Sequence, residues 1–248
     1  MNKLSAILFA GALLSAGASA DTFRIEAGGG VWTQTPSGSV SYSTSTDAGS
    51  DTSTEKEKSL GYAWIYLKHP VPILPNLRLE YSAQESKGDV SVSAPVSGNS
   101  TSKLSVKDYD AILYYNLLDN LAWTTLDLGV DVKMIDYKYD VAPTTTPPYD
   151  GYSKSGTLVV PLAYLRARFE IPATGLGIEG IGSYITYSDV TVYDARIKAD
   201  WTMEFVPVVQ PGIEVGYRIQ KVKYDKSGEE INADVDFSGV YAGLMLRF

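Results

Sequence analysis

Apolar and polar residues alternate one by one along most of the chain, the period that a strand imposes on its two faces and a helix does not. From Tyr193 to Phe205 one face reads Tyr193, Ala195, Ile197, Ala199, Trp201, Met203 and Phe205. The other reads Asp194, Arg196, Lys198, Asp200, Thr202 and Glu204. Leu126, Leu128, Val130, Val132 and Met134 alternate in the same way with Asp127, Gly129, Asp131 and Lys133. Ala163, Leu165, Ala167, Phe169 and Ile171 alternate with Tyr164, Arg166, Arg168 and Glu170, and Leu77, Leu79, Tyr81 and Ala83 oppose Arg78, Glu80, Ser82 and Gln84. The pattern predicts ten strands, at 22–34, 59–69, 77–86, 103–115, 121–139, 157–171, 176–187, 192–205, 212–225 and 234–248.

A soluble sandwich would bury the apolar face and wet the polar one, with strands of roughly five or six residues. Here the strands are about twice that length, and their polar faces carry both signs of charge. The connections alternate between polar stretches (35–58, 87–102, 140–156, 188–191, 226–233) and compact turns (70–76, 116–120, 172–175, 206–212). A strand that crosses a bilayer needs about 9 to 11 residues, and barrels of such strands pair short turns at one rim with longer loops at the other. The expected fold is therefore all-β: one closed antiparallel transmembrane β-barrel with short periplasmic turns, longer extracellular loops and both termini periplasmic. The apolar face would meet lipid, because a closed barrel pairs every backbone group in hydrocarbon without an exposed edge. The Ser- and Thr-rich segment 35–58 reads as a mobile surface loop too polar to form a core.

The first twenty residues stand apart. Lys3, the apolar run Leu4 to Ala16 and the small residues Ala18-Ser19-Ala20 read as a cleaved targeting segment, so the mature domain would begin at Asp21 and run to 248. Composition removes other classes. The chain of 248 residues has no Cys, one His and a formal charge of -8, which excludes a disulfide scaffold and argues against nucleic acid as a partner.

The last strand, DFSGVYAGLMLRF, places Val240, Ala242, Leu244, Leu246 and Phe248 on one face and ends on an aromatic ring. With Gly243, Leu246 and Phe248 in those places it resembles the assembly signal of Gram-negative outer-membrane barrels. Together with WIYLKHPVPILPNLRLEY it resembles a family of uncharacterised proteobacterial outer-membrane β-barrel proteins. The resemblance implies insertion by the barrel-assembly machinery, contact with outer-membrane lipid and lipopolysaccharide, and a monomeric state.

Parity places a set of charges inside the barrel: Arg24, Arg78, Lys133, Arg166, Arg168, Arg196, Lys198 and Arg218 against Glu26, Glu80, Asp110, Asp127, Asp131, Glu170, Glu179, Asp200, Glu204 and Glu214. Charges confined in low dielectric are costly unless matched, so this set is expected to pair across a narrow bore. A closed, salt-bridged lumen would make the protein a scaffold whose loops act outside. A partly open one would make it a narrow pore for ions or small solutes. Tyr193, Trp201, Phe205, Tyr217, Trp123, Phe169 and Phe248 fit interfacial aromatic girdles.

Other motifs lead away from chemistry. Gly175-Leu-Gly177-Ile-Glu-Gly180 has the spacing of a nucleotide-binding turn but opens a strand, with no helix to receive a phosphate. The acidic segment from Asp225 to Asp236 lacks calcium-loop spacing, and no metal or cofactor is expected. Omptin-type proteases are also ten-stranded and place an Asp–His pair at the extracellular rim. The sole imidazole here, His69, falls beside Pro70 at the opposite rim, which argues against an outer-membrane hydrolase.

Overall fold

The computed structural model describes residues 23–248 except 54–56, 72, 96, 146, 205, 207 and 227. The targeting segment expected at 1–20, its expected Ala20-Asp21 junction and Phe205 lie outside the described residues. The strands are β1 (Arg24–Ser43), β2 (Ala48–Ser53), β3 (Lys58–Lys68), β4 (Asn76–Ala94), β5 (Gly98–Leu121), β6 (Thr124–Val141), β7 (Thr144–Thr145) and β8 (Pro148–Tyr149). They continue with β9 (Tyr152–Ile171), β10 (Leu176–Tyr187), β11 (Val190–Thr202), β12 (Gln210–Tyr224) and β13 (Ile231–Arg247).

The long strands pair antiparallel in the order β1, β3, β4, β5, β6, β9, β10, β11, β12, β13, and β13 returns to β1 through Glu26↔Arg247 to Tyr42↔Ile231, closing the ring. β2 occupies the place above β3, paired to β1 on one side and β4 on the other. The end that carries Phe248 and the turns at 69–75, 122–123, 172–175 and 203–209 is called the base here, and the opposite end the head.

The strands run further toward the head than their hydrophobicity predicts. Residues 35–43 and 48–53, expected as a mobile loop, are strand, as are 87–94, 98–102 and 152–156. The outer connections are long in residues, but most of that length is hairpin. The reason lies in what their alternation conceals. In β5 the inward residues are Leu104 and Val106, then Asp108 and Asp110, while the outward ones are Lys103, Ser105 and Lys107, then Tyr109, Ala111 and Leu113. The apolar positions jump from even to odd between Val106 and Tyr109.

The same exchange occurs around the ring. β4 turns Val90 and Val92 inward in the head but Leu77 and Leu79 outward in the base. β6 buries Ile135 and Tyr139 above and exposes Leu128, Val130 and Val132 below. In β13, Val235 and Phe237 point in, whereas Val240, Leu244 and Leu246 point out. The base is thus apolar outside and charged inside, as a barrel in hydrocarbon must be. The head has the opposite arrangement, a Ser, Thr and Lys exterior around a core of Val, Leu, Ile, Tyr and Phe.

Aromatic rings edge the belt. Trp123, Phe169, Trp201 and Phe248 are exposed near the base turns, and Tyr81, Tyr109 and Tyr184 stand on the outer face where the head begins. Tyr193 is half-buried beside Tyr184, and Tyr217 lies two outward positions below Lys221. Inside, glycines make room for large rings: a Cβ at Gly28 would lie 2.7 Å from Trp64, and one at Gly216 would lie 2.6 Å from the Tyr241 ring.

Candidate functional site: a charged lumen beneath an apolar head

The charged residues inside the base lie in tiers fixed by strand register. Nearest the base rim, Arg24 Nε donates to Glu26 (2.6 Å), Arg24 Nη2 donates to Glu170 (3.0 Å), and Arg247 Nε also donates to Glu26 (2.7 Å). Arg168 forms a two-pronged pair with Asp200 (2.6 and 2.8 Å) and donates from Nε to Glu170 (3.0 Å). One tier higher, Arg166 bridges Asp127 (2.6 Å) and Glu179 (2.7 Å). Lys198 reaches Glu214 (2.8 Å), which also accepts from Tyr62 (2.8 Å) and from the Trp64 indole N–H (2.9 Å). The Trp64 ring lies between the Arg78 guanidinium (4.8 Å) and the Lys198 ammonium (4.6 Å), an arrangement in which the ring quadrupole attracts both cations.

In the uppermost charged tier Arg78 and Arg196 converge on Glu80, and Lys133 sits against Asp110 (2.6 Å) and Asp194 (3.2 Å). Arg218 donates from Nε to Asp194 (2.9 Å), and Asp131 is buried on the same face. Above them lies a layer of amides: Gln84 Nε2 is 3.0 Å from Gln220 Oε1, Gln220 donates to Asp108, and Gln34 donates to the Ala83 carbonyl (2.8 Å). This layer divides charge from hydrocarbon.

Most of the charges assigned inward by parity are brought together here. Glu204 is not: β11 ends at Thr202, and Glu204 is exposed in the following turn. Asp108, Asp194, Lys68 and Arg247 were missed, although Asp108 shares the parity of Asp110 and Asp194 that of Arg196. Lys68 pairs with Asp119 (2.6 Å) at the base rim. Gly243, Leu246 and Phe248 lie at the end of the chain, Gly243 paired with Gly30 and Glu214, and Leu246 and Phe248 exposed on the outer face.

The fit leaves little space. A void among the upper charged side chains, between Trp32, Trp64, Glu80, Arg196, Glu214 and Arg218, has a volume of about 20 Å³. The head holds a larger one, about 160 Å³, walled by Val40, Val106, Ile135, Leu158, Val222, Val235 and Phe237 among others. A polar network roofs the head: Asp51 accepts from the Val40 amide (2.7 Å), from Ser102 and from Tyr139 (3.1 Å), and Tyr42 meets Tyr149 hydroxyl to hydroxyl (3.0 Å). Burial and the Asp51 carboxylate together push the Tyr139 hydroxyl above its ordinary range.

On the head exterior charges are compensated at short range. Burial alone would raise Glu85, but Lys58 (2.6 Å) and Lys103 (3.0 Å) hold it below the usual carboxylate value. Asp234 (2.7 Å) and Asp236 (3.0 Å) push Lys221 up to about 12. Glu229 and Glu230 are likewise engaged, by Lys226 (2.8 Å) and Lys154 (2.6 Å). The acidic segment is therefore neutralised by lysines, and among the described residues no three His, Cys, Asp or Glu side chains are grouped to hold a metal ion.

His69 is built into a base turn. Its Nδ1 accepts from the Val71 amide (3.2 Å), its Nε2 lies 3.1 Å from the Pro75 carbonyl, and its own amide donates to Asn76 (2.9 Å). Gly175 occupies another base turn at φ +68, and Gly177 and Gly180 lie within β10, so that glycine run shapes a hairpin.

No protein-family model matches the chain, and no curated protein does. Solved structures match its fold. The outer membrane protease OmpT from Escherichia coli covers 93% of this chain and 100% of its own length at 11% identity, with a TM-score of 0.60. OprG from Pseudomonas aeruginosa (12% identity, 92% and 97% covered, TM-score 0.39) and the translocator domain of the autotransporter NalP from Neisseria meningitidis (14%, 99% and 95%, TM-score 0.41) lie further off. The chain has the fold of the Gram-negative outer-membrane β-barrels, and at these identities the likeness is one of fold alone.

Proposed function

We propose that the protein is a non-conducting outer-membrane scaffold: a barrel sealed by its own ion pairs, with both termini in the periplasm and a folded β head outside the cell. The observation that carries this reading is that the space between the upper charged side chains amounts to about 20 Å³, room for about one water molecule. A conducting pore needs a continuous wet path. Here Arg196 reaches across the bore to Glu80 and Arg24 to Glu170, while Arg166, Arg168 and Lys198 pair with carboxylates on the adjacent or next strand, so that charged side chains occupy the bore. The apolar belt supports the membrane setting, since its outward-facing runs, such as residues 126–134 and 240–248, have the length that crosses hydrocarbon.

A hydrolase is disfavoured on this reading, because the sole imidazole is tied into a turn at the base while OmpT, similar in fold, is a protease. Single-channel recording of the refolded protein in a planar bilayer, after a heat-shift gel has established folding, tests the proposal. Silence is the expected result. Reproducible conductance steps that change size in Arg166→Ala or Arg168→Ala would replace the sealed barrel with a narrow pore.

A further inference from the structure

The wall of the head is incomplete on one side. β10 and β11 span 12 and 13 residues where β9 spans 20. β10 pairs with β9 only from Leu176↔Ile171 to Tyr184↔Ala163, so residues 152–162 of β9 are paired on the β6 side alone. The β10–β11 hairpin turns at Ser188 and Asp189, just beyond the outward tyrosines Tyr184 and Tyr193 that edge the apolar belt. Above that hairpin a notch therefore separates β9 from the tops of β12 and β13, directly over the membrane surface.

The cavity of about 160 Å³ lies behind this notch. Val106, Ile135, Leu158, Val222, Val235 and Phe237 are among the apolar residues that supply most of its wall; Lys154, Thr157, Glu229 and Glu230 also line it, and the Tyr139 hydroxyl is engaged by Asp51. Against the apolar wall water has little to bond to, and an apolar cavity of about 150 Å³ takes up benzene or xenon instead. Below, the amides of Gln34, Gln84 and Gln220 and the paired charges close the way down. Across the notch Lys154 and Glu230 meet (2.6 Å), both substantially exposed. An exposed pair of this kind contributes about 0–1 kcal/mol, so it opens readily.

We propose that the head is a receptor for a small apolar molecule of the size of a single aromatic ring, taken up and released through the notch beneath the Lys154–Glu230 pair. The guest is held by dispersion and the exclusion of water. It leaves by the way it came, because the lumen beneath is filled.

The test uses the full-length protein in lipid nanodiscs, with methyl-labelled Val, Leu and Ile observed by NMR during titration with toluene. Saturable shifts confined to Val106, Ile135, Leu158, Val222 and Val235 are expected. Ala233→Phe, which places a ring in the cavity, should weaken binding at least tenfold while leaving the heat-shift gel unchanged. If that variant does not fold, the wild-type shift map decides alone. Shifts that do not saturate, or that spread to belt methyls such as Leu128 and Val215, overturn the proposal. So would head-methyl shifts that follow the acyl chains of the nanodisc lipid and ignore toluene, which would make the occupant a lipid. None of these outcomes depends on whether the lumen conducts.

Discussion

Arg166 shows how much a single side chain carries in the base. It is 2% exposed and is shared by Asp127 and Glu179, so removing it strips Asp127 of its arginine and takes from Glu179 one of several cations in a low-dielectric interior. Arg166→Ala is expected to cost about 3–5 kcal/mol, read as a lowered urea midpoint of the refolded protein. Ala122 and Trp123 form the β5–β6 turn with φ of 53° and 63°, a conformation that costs a non-glycine residue about 1–2 kcal/mol. Ala122→Gly should therefore raise the same midpoint. Glu85 gives a pH signature: its carboxyl is held below its unfolded value, so its contribution is complete above pH 5 or so and is lost as pH falls through the folded value. Glu85→Gln should flatten the acid limb of head stability without shifting the neutral value by more than about 1 kcal/mol. The inward charges were legible because parity needs only the sequence. Asp108 escaped because it sits where parity changes over, and Lys68 and Arg247 because strand ends carry little pattern.

At the scale of the strand, the exchange of faces at the top of the belt explains both what could be read and what could not. The base strands announce themselves through Leu, Ile and Val placed against charges, as in Leu126 to Met134. In the head the water-facing residues are Ser, Thr and Lys, and β1 has only Val40 and Tyr42 to show on its inner face, with Pro36 and Gly38 before them. A segment such as SGSVSYS then looks like a loop, although its alternation is strict and it is simply in the opposite phase. Ser and Thr, sparse on the base's polar faces, were coating a solvated sheet in the segments set aside as connections. The two phases predict opposite sensitivities. Val90→Asp places a charge in the apolar head and is expected to expose the head to protease while the heat-shift gel still reports an inserted base. Leu128→Lys on the belt should instead cost about 2–4 kcal/mol and impair insertion.

The whole molecule is one continuous wall serving two solvents, with hydrocarbon outside below and hydrocarbon inside above. Its orientation is open to a direct check. Trypsin added to intact cells should cut at the exposed turn lysine Lys226 and spare Lys58, Lys103 and Lys138, which are held in strands. Cleavage at Lys226 only after the outer membrane is breached would place the head in the periplasm. A lumen closed as proposed has a further consequence for the cell that carries the protein. A porin trades abundance against leak, since each copy adds a hole. A barrel closed as proposed would add none, so the number of copies in the membrane would be free to follow demand for the head alone, with no toll on the permeability barrier that surrounds it.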